Sequence, residues 1–191
     1  MQVVLDNIRS AHNVGSIFRT ADAAGVSKLY LAGITPGPLD RFGRTNQKLT
    51  KVALGAEKNV PWEHAARTTA LLDRLKKQGH VILALEQHGK AIPLFSRRSK
   101  TILQILSRKT GSTHKRRHAG SAEKFVLVVG PEVTGLSPAV LRRAKAVIEI
   151  PLHGKKESLN VSVAFGIAIF SLQQIIAQKC APRPTITTTR R

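Results

Sequence analysis

The 191-residue chain carries 31 Lys and Arg residues against 11 Asp and Glu residues, a formal charge of +20 at pH 7, and 42% of its residues are hydrophobic. This length and composition predict one globular domain with a full core, and they exclude a disordered or fibrous chain. A positive charge this large predicts a polyanionic partner, and nucleic acid is the first candidate. An anionic membrane surface and simple solubility are the alternatives.

Several classes of protein are excluded by single residues. Cys180 is the only cysteine, so the chain has no internal disulfide framework and no cysteine-based zinc site. No cluster of His, Cys and Asp with metal-ligand spacing occurs, and we predict no metal. Asp6 and Arg9 interrupt any signal peptide, and polar residues break the apolar run that starts at Val161. We therefore expect a cytoplasmic protein without a membrane span.

The first 32 residues have the pattern of a βαβ unit. Residues 3–5 are apolar and predict a strand. Asn13 is a good N-cap for a helix whose apolar residues recur at helical spacing up to Gly25. Residues 28–32 predict the second strand. The chain thus begins almost directly with its first strand.

A long loop and a helical region follow. Residues 33–46 are rich in Pro and Gly and carry Arg41 and Arg44, and loops of this length in a compact domain are often functional. Residues 50–58 predict a short helix and residues 63–78 a longer one. Residues 80–85 predict the next strand.

Residues 96–122 differ in character from the rest of the chain. They contain eight Lys and Arg residues, no acidic residue and few apolar ones. We interpret them as a mobile basic insert that contacts phosphates; an ordinary solvated segment is the alternative. The candidate nucleic-acid contacts of the chain are Arg41, Arg44, Arg97, Arg98, Lys115, Arg116 and Arg117.

The C-terminal part predicts two more strands and two helices. Residues 125–129 are a continuous apolar run, typical of a strand buried on both faces of a parallel sheet. Ser137 and Pro138 predict the start of a helix that runs to residue 145. Residues 146–150 predict a strand. A last apolar helix follows Ser158 and Asn160. We predict an α/β fold with a mostly parallel sheet and helices on both faces. Residues 1–178 form one domain and residues 179–191 a disordered basic tail.

Three stretches stand out together. Residues 13–21 begin with Asn13 and include Arg19, residues 129–137 include Glu132, and residues 150–162 include Ser158 and Asn160. In this order they resemble the three motifs of the SpoU (TrmH) family of RNA ribose 2′-O-methyltransferases, within the SPOUT superfamily. The resemblance covers most of the chain except residues 96–122 and the tail.

The resemblance implies a C-terminal trefoil knot, a homodimer and S-adenosylmethionine held in the knot. It places the cofactor at Leu85, Gly130, Ile150, Leu152 and Leu159, and the catalytic positions at Arg19, Asn13, Glu132, Ser158 and Asn160. It gives Arg19 the task of activating the ribose 2′-hydroxyl. Because an arginine side chain does not deprotonate in proteins, stabilising the developing oxyanion is the easier role for this group.

The resulting expectation is an S-adenosylmethionine-dependent methyltransferase that acts on a ribose 2′-hydroxyl of structured RNA, with transfer RNA ahead of ribosomal RNA. The alternative is a non-catalytic RNA-binding or ribosome-assembly protein on the same fold. A nucleotide-binding enzyme of another kind is disfavoured, since no G-x-G-x-x-G or P-loop motif follows a strand. Because the first strand starts near residue 1, we expect a minimal catalytic domain.

Overall fold

The computed structural model describes residues 1–95, Ile102 and residues 125–180. Within these residues the strands are β1 (Gln2–Asp6), β2 (Lys28–Ala32), β3 (Trp62–Ala65), β4 (Val81–Leu85), β5 (Ile92–Pro93), β6 (Phe125–Val129) and β7 (Ala146–Glu149). The helices are α1 (Ala11–Ala23), α2 (Gln47–Ala53), α3 (Ala56–Asn59), α4 (Thr68–Lys77), α5 (Pro138–Leu141) and α6 (Val161–Cys180).

All seven strands join one sheet in the order β3-β2-β1-β6-β4-β7-β5, and every ladder between them is parallel. The predicted α/β class with a parallel sheet is therefore confirmed. From β1, the sheet continues through β2 to β3 on one side. On the other side it continues through β6, β4 and β7 to β5. The strand order thus reverses between β1 and β6, and open α/β sheets bind ligands at the carboxyl end of such a position.

Alternate residues of the strands face two separate apolar layers, as the pleat of a strand requires. Leu5 of β1 faces α1 and α6, where Phe18 and Phe165 are fully buried. Val4 faces the opposite layer with Leu72 of α4. Burying a side chain of this size contributes about 1.5–3 kcal/mol, so the two layers hold the sheet firmly from both faces.

Helix α1 begins differently from the prediction. Its N-cap is Ser10, whose Oγ accepts a hydrogen bond from the backbone N–H of Asn13 at 3.2 Å. The prediction that Asn13 caps the helix was wrong, because Ser10 lies three residues earlier and already accepts a hydrogen bond from an N–H group of the first turn. Asn13 lies inside the first turn instead, and its side chain is free for other contacts. Gly25 follows the helix at a φ of +60°, as expected for a residue after a C-cap.

Strand β3 replaces the start of a predicted helix. Residues 62–65 pair with β2 at the edge of the sheet, and the helix begins only at Thr68. Glu63 fixes this edge strand: it accepts hydrogen bonds from Lys28 and Arg74, each at 2.7 Å, and these two cations lower the pKa of Glu63. A tertiary ion-pair cluster therefore overrides the local helical pattern.

The remaining differences are small. Helix α5 ends at Leu141 rather than at residue 145, and the two-residue edge strand β5 was not predicted. Helix α6 continues to Cys180, two residues beyond the predicted domain boundary. The predicted insert 96–122, apart from Ile102, and residues 181–191 of the predicted tail lie outside the described residues. In the part of the chain that the structure describes, no helix combines the length and apolarity needed to cross a membrane.

Candidate active site

Three of the five predicted catalytic residues meet in one hydrogen-bonded chain. The Nδ2 group of Asn13 donates to Oε1 of Glu132, and Oδ1 of Asn13 accepts from Nδ2 of Asn160 at 3.1 Å. Asn13 comes from α1, Glu132 from the loop after β6 and Asn160 from the loop before α6. The side chain of Asn13 thus joins the second and third motifs to the first.

Asn160 is held in place by its own helix. Its Oδ1 accepts from the backbone N–H of Ser162 at 2.9 Å and from the hydroxyl of Ser162 at 2.6 Å. Asn160 therefore caps the last helix with its side-chain oxygen, while its side-chain NH2 group reaches Asn13. The start of α6 therefore fixes one end of the hydrogen-bonded series Asn160–Asn13–Glu132.

A cavity of about 350 Å³ opens beside this chain, where β4, β6 and β7 end. Four of the five residues that the resemblance assigned to the cofactor line it, and Leu152 is the exception. Glu132 and Ser158 also line it. The volume lies within the range of roughly 300–1,000 Å³ that is typical of small-molecule sites. The lining members of the predicted cofactor set are Leu85, Gly130, Ile150 and Leu159.

The lining of this cavity is acidic in a strongly basic protein. Glu86, Glu132 and Glu157 line it, which is three of the 11 Asp and Glu residues of a chain with a net charge of +20. No Lys or Arg of the described ranges lines it. A lining that mixes apolar side chains with carboxylates suits a ligand that has both apolar parts and positive charge.

Glu86 and Gln87 follow β4 directly and were not among the predicted site residues, yet they build the wall of this cavity. Oε2 of Glu86 accepts from the backbone N–H of Leu136 at 2.6 Å, and Nε2 of Gln87 donates to the carbonyl of Ile150 at 2.7 Å. The segments after β4, β6 and β7 are thus tied together. Their position directly after a buried strand, at the carboxyl edge of the sheet, is the sequence feature that could have identified them as site residues.

Two glycines allow this close approach. A Cβ atom on Gly130 would lie 2.8 Å from the side chain of Leu136. Gly135 has a φ of +63°, and a Cβ there would lie 2.8 Å from Oε2 of Glu86. Larger residues at either position would push the loop of residues 131–135 away from the strand ends.

Arg19 lies apart from the other catalytic candidates. Its side chain is exposed on α1, it lines neither this cavity nor the larger one described below, and it forms no hydrogen bond or ion pair with residues 1–95, Ile102 or 125–180. Its guanidinium is therefore available to an external anion. Ser158 is exposed at the cavity lining.

The loop that carries Arg41 and Arg44 presents an aromatic ring between them. Phe42 is 65% exposed, and the Cζ atoms of Arg41 and Arg44 lie 4.7 and 5.0 Å from the centre of its ring. Asp40 holds the turn by accepting from the backbone N–H groups of Phe42 and Arg44 at 2.8 and 2.9 Å. Arg97, Arg98 and the basic residues 115–117 lie outside the described residues.

No group of three or more His, Cys, Asp or Glu side chains in the described ranges is placed to hold a metal ion.

A parallel sheet with an acidic cavity of this size at its carboxyl edge is typical of an α/β protein that binds a small molecule. The model of the family described as "SpoU rRNA Methylase family" matches residues 1–170. The chain belongs to this family.

Individual relatives agree with this assignment. A curated relative, the 23S rRNA (guanosine-2′-O-)-methyltransferase RlmB of Coxiella burnetii, is 30% identical over 183 residues, which are 96% of this chain and 60% of that protein. Among solved structures, the A. aeolicus TrmH/SpoU tRNA modifying enzyme is 28% identical with a TM-score of 0.69, over 93% of this chain and 76% of that one. The AdoMet-bound rRNA methyltransferase of Sinorhizobium meliloti is 26% identical with a TM-score of 0.68, over 91% of this chain and 55% of that one. The chain spans about 60% of the length of the curated relative that it matches.

Proposed function

We propose that the protein transfers a methyl group from S-adenosylmethionine to a ribose 2′-hydroxyl of RNA. The observation that carries this proposal is the hydrogen-bonded chain of Asn13, Glu132 and Asn160 beside an acidic cavity of about 350 Å³. The family and the names of the relatives support the same reaction.

The cavity suits S-adenosylmethionine by charge and by shape. The molecule carries a sulfonium and an ammonium against one carboxylate, so Glu86, Glu132 and Glu157 compensate its net positive charge. Leu85, Ile150 and Leu159 offer apolar contacts, and Gly130 lets a ligand approach the backbone. When bound, the cofactor supplies an electrophilic methyl group. Leu85, Gly130, Ile150 and Leu159 would hold the cofactor, and methylation of the ribose oxygen would release the hydroxyl proton to solvent.

The residues of the chain mainly position the reactants. Asn13 and Asn160 fix the carboxylate of Glu132 at the cavity lining, where it can orient the acceptor ribose by a hydrogen bond from a hydroxyl. Arg19 has an exposed guanidinium without a partner in the described part of the chain, which suits a contact with a phosphate or a developing oxyanion.

The Arg41–Phe42–Arg44 loop supports the RNA assignment. An exposed aromatic ring can stack on an unpaired base, and the flanking guanidiniums can contact phosphates. We propose that this loop contacts RNA together with the basic insert 96–122. Residues 1–178 then act as one methyltransferase domain that carries this insert.

The names of the relatives bear on the substrate class. The sequence-based preference for transfer RNA finds no support in the curated relative, which is named for 23S ribosomal RNA, although the A. aeolicus structure is named for a tRNA modifying enzyme. We therefore place ribosomal RNA first and transfer RNA second.

Two further features of the family are part of the proposal. The knotted C-terminal region is inferred from the family alone, and the contacts from Glu86 to Leu136 and from Gln87 to Ile150 hold together the segments that follow three neighbouring strands. Val163 and Phe170 are each 50% exposed and seven residues apart, so they lie on one side of α6. We propose that a second copy of the chain covers them. Light scattering of Phe170→Glu then shows a monomer, whereas an unchanged dimer contradicts this arrangement.

The experiment that tests the proposed function measures label transfer from methyl-labelled S-adenosylmethionine to ribosomal RNA and to transfer RNA, each incubated with the full chain. A ribose 2′-O-methyl group removes the hydroxyl that alkaline cleavage needs, so the labelled linkage resists alkali. Label in alkali-resistant dinucleotides supports the proposal. Absence of both label and cofactor binding favours the non-catalytic RNA-binding alternative.

A further inference from the structure

A second and larger cavity of about 610 Å³ lies at the same edge of the sheet. It is bounded by the ends of β1, β2 and β3, by the start of α4 and by the loop after β6. The proposed cofactor site does not use it, although the two cavities share the wall formed by residues 131–135. A nucleotide bound in one cavity would therefore be a direct neighbour of a ligand in the other.

The floor of the larger cavity is a buried carboxylate with one free oxygen. Asp6 is 4% exposed and lines the cavity. Its Oδ1 accepts from the hydroxyl of Thr68 and from Nδ2 of Asn7, the latter at 2.8 Å. In the described part of the chain no donor reaches Oδ2. Burial raises the pKa of Asp6, and the two hydrogen bonds act against this change. Oδ2 is not among the fully buried, unpartnered polar atoms of the described residues, so it is accessible from the cavity and open to a ligand there.

The wall beside Asp6 is formed by Asn7, which is held by specific contacts. Asn7 has a φ of +54°, which is uncommon for a residue other than glycine. Its Oδ1 accepts from the backbone N–H of Ile34 at 3.2 Å, and its backbone N–H donates to the carbonyl of Ala32 at 3.1 Å. These contacts fix the position of Asn7 beside the carboxylate of Asp6.

The mouth of the cavity carries two cations and two apolar side chains. Arg9 and Arg67 are exposed lining residues, and neither forms an ion pair with the residues that the structure describes. Arg67 also stands at the N-cap of α4 without a capping side chain, so the first amides of this helix are open. Ile34 is 61% exposed and Val133 is 95% exposed, and both line the cavity.

We propose that this cavity binds one nucleotide of the RNA substrate. The base packs against Ile34 and Val133 with an amino or imino N–H directed to Oδ2 of Asp6, and the phosphate lies at Arg9 and Arg67. An unstacked base offers a flat apolar face and N–H donors on its edge, and its phosphate matches the cations. This inference rests on the proposed function, because the nucleotide is a part of the RNA that carries the acceptor ribose.

The test separates the phosphate contacts from the space for the base. The double variant Arg9→Ala/Arg67→Ala removes two charges at the cavity, and Lys76→Ala/Lys77→Ala removes two charges at the opposite end of α4 as its matched control. The variant Ala66→Trp fills the cavity from an exposed lining position without changing charge, and Ala66→Ser is its control. For each protein we measure the affinity for ribosomal RNA against salt concentration, the rate of methyl transfer, and S-adenosylmethionine binding by calorimetry.

We expect the arginine variant to bind RNA at least about tenfold more weakly than its control, with a salt slope lower by roughly 1.4, which corresponds to two phosphate contacts. Ala66→Trp loses methyl transfer while Ala66→Ser keeps it, and all variants bind S-adenosylmethionine like the wild type. Wild-type RNA affinity and transfer rate in both cavity variants would overturn the inference and leave the proposed function intact. An equal loss in both double variants would also overturn it, since the effect would then be one of net charge.

A free nucleotide carries the same groups as a nucleotide of RNA. A mixture of the four nucleoside 5′-monophosphates is therefore titrated in parallel. Saturable monophosphate binding that Ala66→Trp abolishes, together with unchanged RNA binding, would assign the cavity to a free nucleotide and overturn the inference. A wild-type protein that binds neither S-adenosylmethionine nor RNA would remove the proposed function, and the inference with it.

Discussion

Asn13 donates a hydrogen bond to Glu132 although 119 residues separate them in sequence. The same side chain accepts from Asn160, 147 residues away. One amide group thus connects the first helix, the loop after the central strand β6 and the start of the last helix. The geometry of the proposed transfer site depends on this side chain more than on any single strand.

Substitutions of Asn160 separate its capping from its positioning role. Asn160→Ala removes the cap of α6 and should lower the free energy of unfolding by about 1 kcal/mol. Asn160→Asp keeps an oxygen for Ser162 but loses the donor to Asn13, so its stability stays near that of the wild type. We expect methyl transfer to fall about 100-fold in both variants, because misplaced positioning groups cost on that scale. Thermal unfolding and initial rates provide the measurements; full activity in the Asp variant would show that the contact to Asn13 has no role.

Glu86 should affect both stability and cofactor affinity. Glu86→Ala leaves the backbone N–H of Leu136 without its acceptor, which should cost about 1–3 kcal/mol. Glu86→Gln retains an acceptor oxygen and should unfold close to the wild type in urea. Both variants remove one negative charge from the smaller cavity, and calorimetry should show weaker binding of S-adenosylmethionine. Unchanged affinity in both would argue against the cationic ligand.

Asp6 should make the protein less stable at neutral pH than its amide analogue. Because the pKa of Asp6 is raised in the folded state, the folded protein binds this proton more tightly than the unfolded chain. The contribution of Asp6 to stability is therefore lost as the pH rises from about 4, the ordinary value of an aspartate, through the raised pKa.

The variant Asp6→Asn keeps an acceptor for Thr68 and Asn7 without the charge. We expect its stability advantage over the wild type to grow with pH across this window, whereas its RNA affinity falls. Urea unfolding of both proteins between pH 4 and pH 8 measures the difference. A difference that does not change with pH would contradict the assignment.

Phe42 should bind RNA through its ring. Phe42→Ala removes the stacking surface and should weaken binding of single-stranded RNA by about 1–3 kcal/mol. Phe42→Leu keeps an apolar side chain of similar reach without the aromatic face, and Phe42→Trp restores that face. Fluorescence anisotropy should therefore rank Trp and Phe above Leu and Ala. Equal RNA affinity of the Phe42→Leu variant and the wild type would show that the loop binds RNA through its arginines and not through stacking.

Most of the sheet could be predicted from the sequence because its strands are buried on both faces. β6 is a continuous apolar run, and β1, β2, β4 and β7 alternate with helical patterns of adequate length. β3 could not be predicted, since its residues 62–65 form a strand through pairing with β2 and the ion pairs of Glu63. Such contacts are tertiary and leave no local pattern.

The sequence named Asn13, Glu132 and Asn160 as candidates, but it could not predict the hydrogen bonds that connect them. Spacing identified Asn13 as a cap, whereas the structure gives that task to Ser10 and leaves Asn13 to join Glu132 and Asn160. Glu86 was missed because a carboxylate after a strand is common in turns, and only the fold brings it to the N–H of Leu136. The larger cavity involves residues from four strand ends, which no single motif contains.

The measurement that tests the central claim most directly is nucleoside mass spectrometry of ribosomal RNA after incubation with S-adenosylmethionine and either the wild type or Asn13→Ala. We predict one new ribose 2′-O-methylated nucleoside with the wild-type protein and a strong loss of it with the variant. A methylated base, or an undiminished yield from Asn13→Ala, would contradict the account of the reaction and of the site that performs it.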